Sequence, residues 1–208
     1  QDFELGYEFS GEKFQFKSNA FLMFYTDQLV LTGQLDNVGY PIRKNIGESY
    51  RIGIELSMSW RPYKWVQWAP NVAYIQSQNL NYVEESDNGQ VKPLGNTAIA
   101  YAPNTVFSSA LDFYPLKGVT LGLFTQYVSR QYLNNSQIKR LSLDPYVVNN
   151  LQLSYDFKPT WIGGMRVYAS VNNVFNALYA NNGYVWGSTP YFYPQAGINL
   201  LAGLQVTF

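Results

Sequence analysis

Apolar and polar residues alternate with a period of two through most of this chain, and this feature constrains the fold more than any other. From Arg51 to Trp60 every second residue is apolar, and the residues between are Arg, Gly, Glu and Ser. The same pattern recurs from Asn149 to Phe157 and from Met165 to Val171. Successive side chains of a β-strand point to opposite faces, so this periodicity predicts strands with one apolar and one polar face.

The alternating segments predict nine strands, with little helical signal between them. Several are longer than the ~5–6 residues typical of globular sheets and reach the ~9–11 residues that a tilted strand needs to cross a bilayer. The predicted strands are residues 2–9, 13–31, 49–61, 65–83, 104–114, 118–132, 145–157, 164–174 and 195–208.

The connections between these strands alternate between short and long. The short ones read SGEK, RPYK, PLKG and KPTWIGG, and the long ones cover residues 32–48, 84–103, 133–144 and 175–194. Bacterial outer-membrane barrels have short periplasmic turns and long extracellular loops. The sequence therefore predicts an all-β, antiparallel transmembrane β-barrel, with a large soluble β-sandwich as the alternative. Aromatic residues near the short turns would form a periplasmic girdle: Trp60, Tyr63, Trp65, Trp68, Tyr114, Phe157 and Trp161.

The composition argues against several classes of function. Lys and Arg together number 14, as do Asp and Glu, and a chain without net charge lacks the basic face that a nucleic-acid partner requires. Charged residues make up 13% and aromatic residues 17%. Cys and His are both absent, which removes disulfides, thiol nucleophiles and the commonest general base. We therefore expect no enzyme, no catalytic residue, no metal site and no cofactor.

Four segments resemble TonB-dependent outer-membrane receptors, and the similarity spans essentially the whole chain. The Asn-rich VNNVFNALYANNGY (171–184) and the ending YFYPQAGINLLAGLQVTF (191–208) carry the most specific likeness. YTDQLVLTGQLDNVG (25–39) and SYRIGIEL (49–56) add to it. One departure is Ile198, where many members of the family carry Arg or Thr, and it bears on loop contacts.

The resemblance implies a 22-stranded barrel filled by an N-terminal plug. Residues 1–208 would be the C-terminal portion of that barrel, with the plug and about 13 further strands outside this chain. An odd number of strands and two unpaired sheet edges do not suit a complete bacterial barrel in lipid. We therefore expect an incomplete barrel wall, truncated or cleaved within an extracellular loop, or a sheet that pairs edge to edge with another chain.

The resemblance also implies a function and a set of partners. It indicates active import of a scarce nutrient, above all a ferric siderophore or other iron complex, across the outer membrane of a Gram-negative bacterium. TonB would energise this import through the plug. The expected partners are outer-membrane lipid, a small-molecule ligand, the TonB complex and the remainder of the same receptor. The alternatives are cobalamin or an oligosaccharide as cargo, and a passive porin or structural barrel. An outer-membrane hydrolase is disfavoured, because such enzymes use a catalytic His and this chain contains none.

The long loops and the lumen supply the candidate ligand-binding residues. Aromatic side chains would stack on a catecholate, a porphyrin or a sugar, and cations would attract an anionic siderophore. The structural alternative is an extracellular aromatic girdle with solvated loop charges. The candidates are Tyr179, Tyr184, Trp186, Tyr191, Tyr193, Arg43, Arg130 and Arg140. Polar lumen positions would include Glu55, Gln126, Arg130, Gln152, Asp156, Arg166 and Tyr168.

The C-terminal strand ends on an aromatic residue without a polar tail. By resemblance, Leu204, Val206 and Phe208 would form the signal that the barrel-assembly machinery reads. Upstream, Asn172, Asn173 and Asn176 stand where a strand gives way to a long loop. Asn suits turns, so strand termination is favoured over ligand contact for these three.

Overall fold

The computed structural model describes residues 1–85 and 90–208. Within these residues the chain forms β-strands and one short 3-10 helix, Lys139–Leu141. Nowhere in the described ranges is a helix long and apolar enough to cross a membrane. The strands are β1 (Asp2–Ser10), β2 (Phe14–Leu35), β3 (Pro41–Tyr63), β4 (Val66–Glu85), β5 (Val91–Ala98), β6 (Thr105–Phe113), β7 (Val119–Val128), β8 (Gln131–Tyr132), β9 (Ser142–Leu143), β10 (Tyr146–Phe157), β11 (Gly164–Asn172), β12 (Ala180–Trp186), β13 (Thr189–Pro194) and β14 (Asn199–Thr207).

In the described part of the chain, nine strands form one antiparallel wall, in the order β1-β2-β3-β4-β6-β7-β10-β11-β14. Each of the nine predicted strands corresponds to one wall strand, so the predicted all-β, antiparallel architecture is confirmed. Chain order and spatial order agree because a short turn can join only neighbouring antiparallel strands.

The strand register gives the wall one apolar face. A row across β6, β7, β10, β11 and β14 consists of Leu111, Leu123, Leu151, Val171 and Leu200, each directly opposite the next. Such a row cannot be shielded within a single sheet, and hydrocarbon is the solvent that suits it. We call this side the outer face.

The opposite side of the wall is mostly polar, and we call it the inner face. The row one residue along the same strands consists of Asp112, Gly122, Gln152, Ser170 and Leu201. Leu201 is the one large apolar residue in this row. Because hydrocarbon does not solvate carboxylates or amides, this face lines the interior of the barrel.

The short turns lie together at one end of the wall. Tyr63 and Trp65 stack there with ring centroids 5.4 Å apart, and Trp65 lies 6.4 Å from the ring of Phe113. Thr207 pairs with Gly164 at this same end, so the chain finishes beside the short turns. The aromatic cluster has the position predicted for a periplasmic girdle.

At the other end, the prediction of a long loop over residues 32–48 was wrong. β2 continues to Leu35 and β3 begins at Pro41, so only residues 36–40 connect them. Paired strands satisfy their backbone N–H and C=O groups in water as well as in lipid. The length of ~9–11 residues therefore limits only the part of a strand that spans the bilayer.

The other long connections contain strands as well, and the predicted boundaries shift accordingly. β5 folds back onto β4 within 84–103, of which residues 86–89 lie outside the described ranges. The predicted strand 118–132 is divided into β7 and β8, and β8 pairs with β9. The predicted loop 175–194 contains the β12–β13 hairpin. We use the name cap for residues 99–104 and 129–145 together with the strands β5, β8, β9, β12 and β13.

Most buried apolar side chains of the described chain lie in or beside the cap. One cluster consists of Leu133, Leu141, Leu143 and Val185. A second joins β2, β3 and the segment after β5 and consists of Val30, Ile46 and Ile99. The cap is therefore packed around small cores of its own, unlike a set of extended loops.

The wall is an open sheet. Among the described residues, β1 pairs only with β2, and β14 only with β11. The expected incomplete barrel wall is thus confirmed, and the chain does not close into a barrel by itself.

Candidate functional site

The β12–β13 hairpin of the cap carries most of the predicted aromatic site residues. A turn of two residues, Gly187 and Ser188, joins Trp186 to Thr189, which pair with each other. Gly187 has a φ of 59°, which is the left-handed region that a tight hairpin turn requires and that Gly enters without strain. This turn fixes which side chains share a face.

One face of the hairpin is mostly aromatic, and its other members are Asn182 and Thr189. Tyr184 lies opposite Tyr191, and their rings stack with centroids 5.1 Å apart and planes 12° apart. The ring of Tyr193 lies 5.8 Å from that of Tyr184. By alternation Trp186 shares this face, and its side chain is exposed. Four of the five predicted aromatic candidates therefore form one accessible surface, which we call the aromatic face.

The opposite face anchors the hairpin to the cap. Val185 is fully buried and packs against Leu133, Leu141 and Leu143. The same residue bridges to Gln34 on β2, in parallel orientation. With one face fixed in a core, the aromatic face is held in place, which lowers the entropy cost of binding a flat ligand.

A cation lies at the tip of this hairpin. One terminal nitrogen of Arg140 donates a hydrogen bond to the backbone carbonyl of Ser188 at 2.6 Å. This bond uses part of the guanidinium and leaves the side chain exposed. The turn and its arginine thus bring a positive charge to the edge of the aromatic face.

Tyr101 supports the base of the hairpin, and the sequence offered no signal for it. Its hydroxyl donates to the carbonyl of Gly183 at 3.0 Å. Burial, and secondarily the nearby hydroxyl of Tyr193, raises the pKa of Tyr101, so the hydroxyl keeps the proton that this bond needs. The backbone φ of Tyr101 is 56°, which costs energy for a residue with a Cβ and persists only where surrounding contacts enforce it.

Asn135 holds the cap together and was also missed from sequence. It is 1% exposed, and its side-chain oxygen accepts from the amide of Ala100 at 2.9 Å and from Asn79 at 3.3 Å. Its side-chain nitrogen donates to the carbonyl of Leu31 at 2.9 Å. The only hint in the sequence is the turn-like run NNSQ at 134–137, which does not reveal partners this distant.

The remaining candidate site residues lie apart from the aromatic face. Tyr179 contacts Tyr146, with ring centroids 4.5 Å apart. Arg130 forms an ion pair with Asp144 at 2.8 Å and bonds to Ser142. Arg43 lies in β3 and pairs with β2. Their role in ligand binding stays a prediction.

The Asn-rich motif forms a turn. Asn173 is buried, and its side chain exchanges hydrogen bonds with the backbone of Ala177 and donates to the carbonyl of Ala196. Asn176 accepts from the amide of Ile198 at 3.0 Å. Both Asn residues have positive φ, and together they end β11 and lead into the loop. This geometry supports strand termination over ligand contact.

The residues of the expected assembly signal lie at the free end of the wall. Leu204 and Val206 are on the outer face, opposite Val167 and Met165. Phe208 follows the last strand residue and is fully exposed. The role of these three residues in barrel assembly stays a prediction.

The described residues contain no group of three or more His, Cys, Asp or Glu side chains placed to hold a metal ion.

Comparison with solved structures shows the fold. The ferric yersiniabactin uptake receptor FyuA from Yersinia pestis superposes with a TM-score of 0.73 at 18% identity, covering 98% of this chain and 28% of that one. The ferric-catecholate import receptor Fiu from K12 E. coli gives 0.72 at 13% identity, covering 100% and 27%. The copper transporter OprC gives 0.71 at 17% identity, covering 100% and 31%.

This chain thus spans about 28% of the length of the receptors it resembles. No curated protein sequence matches it. Family comparison is more decisive, because the family described as TonB dependent receptor-like, beta-barrel, matches residues 1–174. The match ends inside the Asn-rich motif and leaves out the ending at 191–208, so it is largely independent of the two segments that carried the resemblance. The chain therefore belongs to the TonB-dependent receptor β-barrel family, whose members are integral proteins of the Gram-negative outer membrane.

Proposed function

We propose that this chain forms part of the wall and the extracellular face of a receptor that imports a ferric siderophore or another iron complex. The remainder of the receptor would complete the barrel and supply the plug, through which TonB energises transport. The aromatic face with Arg140 at its edge is the proposed contact surface for cargo.

The arrangement of the aromatic face is the observation that carries this proposal. Three tyrosines and a tryptophan share one side of a hairpin whose other side is anchored in a core through Val185. Exposed aromatic rings in a fixed arrangement bind flat, delocalised groups such as catecholates, and a neighbouring guanidinium attracts the negative charge of their iron complexes. Support also comes from the similar solved structures, two of which are described as an uptake receptor for ferric yersiniabactin and an import receptor for ferric catecholate.

Growth of a strain that lacks the receptor gene tests the cargo. We expect loss of growth on one defined ferric complex and normal growth on ferrous iron. Normal use of every ferric complex, with loss of growth on one glycan or on cobalamin, would refute the cargo assignment. Uptake that persists after the proton-motive force is dissipated would favour a passive porin.

Substitution of the aromatic face tests the site. We expect Tyr191→Ala in the complete receptor to weaken cargo binding about threefold to tenfold, since one aromatic contact contributes about 0.5–1.5 kcal/mol. Phe192→Ala is the matched control, because Phe192 is on the opposite face of β13 and both side chains are 45% exposed. Equal effects of the two substitutions on equilibrium binding would remove the aromatic face from the cargo site.

A further inference from the structure

Each of the four turns at the periplasmic end of the wall contains one lysine. The turns cover residues 11–13, 64–65, 114–118 and 158–163. Glu12 is the only acidic residue in these four turns, although acidic and basic residues are equally numerous in the whole chain. The turns therefore hold a local excess of positive charge. Their lysines are Lys13, Lys64, Lys117 and Lys158.

Backbone hydrogen bonds join these turns side by side. Each bond connects one turn or its flanking strand to the next, and all three are 2.8 Å long. They run from the amides of Arg61, Tyr114 and Asp156 to the carbonyls of Lys13, Trp65 and Gly118, respectively. Neighbouring turns are about 10 Å apart across the strands, which is twice the spacing of paired strands. We call the four turns together the basic rim.

The positive charge of the basic rim is not neutralised within the described part of the chain. There, none of the four lysines forms an ion pair, and all four are exposed. Asp156, two residues before Lys158, already accepts two hydrogen bonds from Arg166, at 2.6 and 2.9 Å. Arg61 adds a further cation beside the rim, at 5.3 Å from the centroid of the Tyr114 ring. The rim is thus suited to an anionic partner.

The turn that contains Lys64 combines this charge with aromatic rings. Tyr63 and Trp65 flank Lys64, and their rings stack on each other. The Trp65 ring also stacks on that of Phe113. Phe113 is on the outer face, because it lies two residues beyond Leu111 on β6. The aromatic side of this turn therefore faces lipid and not the interior of the barrel.

Two other turns of the rim show the same combination. Leu116 is exposed and precedes Lys117, and Trp161 is exposed in the turn that contains Lys158. A soluble acidic partner requires only the charge. The headgroup region of a bilayer, by contrast, accommodates an amphipathic or apolar side chain and a cation side by side. The composition of the rim therefore favours a lipid as the partner.

We propose that the basic rim binds the phosphate groups of anionic phospholipids in the inner leaflet of the outer membrane. The acyl chains of these lipids lie against the outer face, and lysines near such a membrane surface attract its negative charge. The main site lies between Lys64 and Lys117, because their turns are joined at Trp65 and Arg61 adds a third cation there. This inference depends on the membrane location of the family and is independent of the proposed cargo.

Native mass spectrometry of the complete receptor, released from lipid nanodiscs, tests the proposal. The nanodiscs contain equal amounts of phosphatidylglycerol, which is anionic, and phosphatidylcholine, which is zwitterionic. We expect the receptor to retain phosphatidylglycerol with a preference of roughly tenfold. Lys64→Gln and Lys117→Gln should each lower this preference about threefold to fivefold, and the double substitution should abolish it.

Lys139→Gln is the matched control and should leave the preference unchanged. It also removes one exposed lysine, but from the cap at the opposite end of the wall. An equal decrease in this control would overturn the proposal, because the lipid would then respond only to the net charge of the receptor.

Three further results would also overturn the proposal. The first is equal retention of the two lipids by the unsubstituted receptor. The second is a preference for phosphatidylglycerol that both rim substitutions leave intact, which would place the lipid elsewhere on the receptor. The third is binding of soluble polyglutamate, lost in the double substitution, without any preference for phosphatidylglycerol. That result would assign the rim to an acidic periplasmic protein.

Discussion

The wall and the cap of this molecule are built for two different solvents. On the wall, large apolar side chains such as Leu153 and Leu204 are exposed on the outer face, and backbone pairing joins the strands. In the cap, Leu133 is 0% exposed and Asn135 only 1%. Lipid takes up the apolar surface of the wall, whereas the cap must bury its own in water. One chain thus follows the rules of a membrane protein and of a small globular domain.

The two regions should also differ in how strongly a single substitution destabilises them. The stability of the wall is distributed over long ladders of equivalent residue pairs. A conservative substitution at one position should therefore lower the free energy of unfolding only slightly. The cap depends on a few side chains that join segments far apart in sequence, as Asn135 joins Leu31 and Ala100. Matched substitutions in the wall and in the cap test this difference.

The largest effect is expected at Leu133. Leu133→Ala leaves a cavity in the cluster that anchors the aromatic hairpin and should lower the stability of the cap by about 2–5 kcal/mol. Hydrogen exchange of cap amides in the complete receptor measures this local opening. Leu178→Ala is the control, because Leu178 is 92% exposed, and comparable exchange in both variants would contradict a packed cap.

A charge on the outer face should have the next largest effect. Leu151 is near the middle of β10 and faces lipid, so Leu151→Arg should cost about 2–4 kcal/mol of barrel stability. The adjacent Gln152→Arg places the same charge on the inner face and should cost much less. Urea unfolding of the receptor in lipid vesicles compares them, and equal losses would refute the assignment of the faces.

A smaller, local effect is expected at Asn135. Asn135→Ala leaves the Ala100 amide and the Leu31 carbonyl without their partner and should lower cap stability by about 1–3 kcal/mol. Amide exchange should accelerate at Ala100 and stay unchanged in the wall, for example at Leu153. Asn134→Ala is the control, since its side-chain oxygen accepts only from Ser136 among the described residues.

No loss of folded stability is expected at Phe208, which is fully exposed. If this residue is part of the assembly signal, Phe208→Ala should lower the amount of receptor in the outer membrane severalfold and leave its melting temperature unchanged. Quantitative blotting of membrane fractions measures the amount. Phe175→Ala changes an exposed aromatic residue in the loop after β11, and an equal decrease there would argue against a C-terminal signal.

Much of the wall was predictable because lipid acts on each strand in the same way. The alternation at 51–60 assigned those residues to two faces, and the register of β3 confirms the assignment. The wrong prediction of a loop at 32–48 concerns the parts of β2 and β3 that extend beyond the bilayer. Bilayer thickness does not limit the length of a strand in water. The position of the chain end beside the short turns also follows from the order of the connections, because the last predicted strand comes after the long connection 175–194.

The candidate site was predictable only in part. Aromatic residues were evident in 175–194, but the sharing of one face by Tyr184 and Tyr191 depends on the two-residue turn at Gly187. Tyr101 and Asn135 escaped notice because their partners are remote in sequence. Asn135 bonds to Leu31, 104 residues away, and Tyr101 bonds to Gly183, 82 residues away.

The amino-acid sequence was sufficient to predict the nine wall strands, their two faces and the family to which the chain belongs. These properties depend on local periodicity, which the contrast between hydrocarbon and a polar interior imposes residue by residue. The folding of the long connections into a packed cap, and the surface shared by four aromatic residues, became evident only from the three-dimensional structure. Those outcomes depend on contacts between distant segments, and no local pattern encodes which partner a buried side chain will meet.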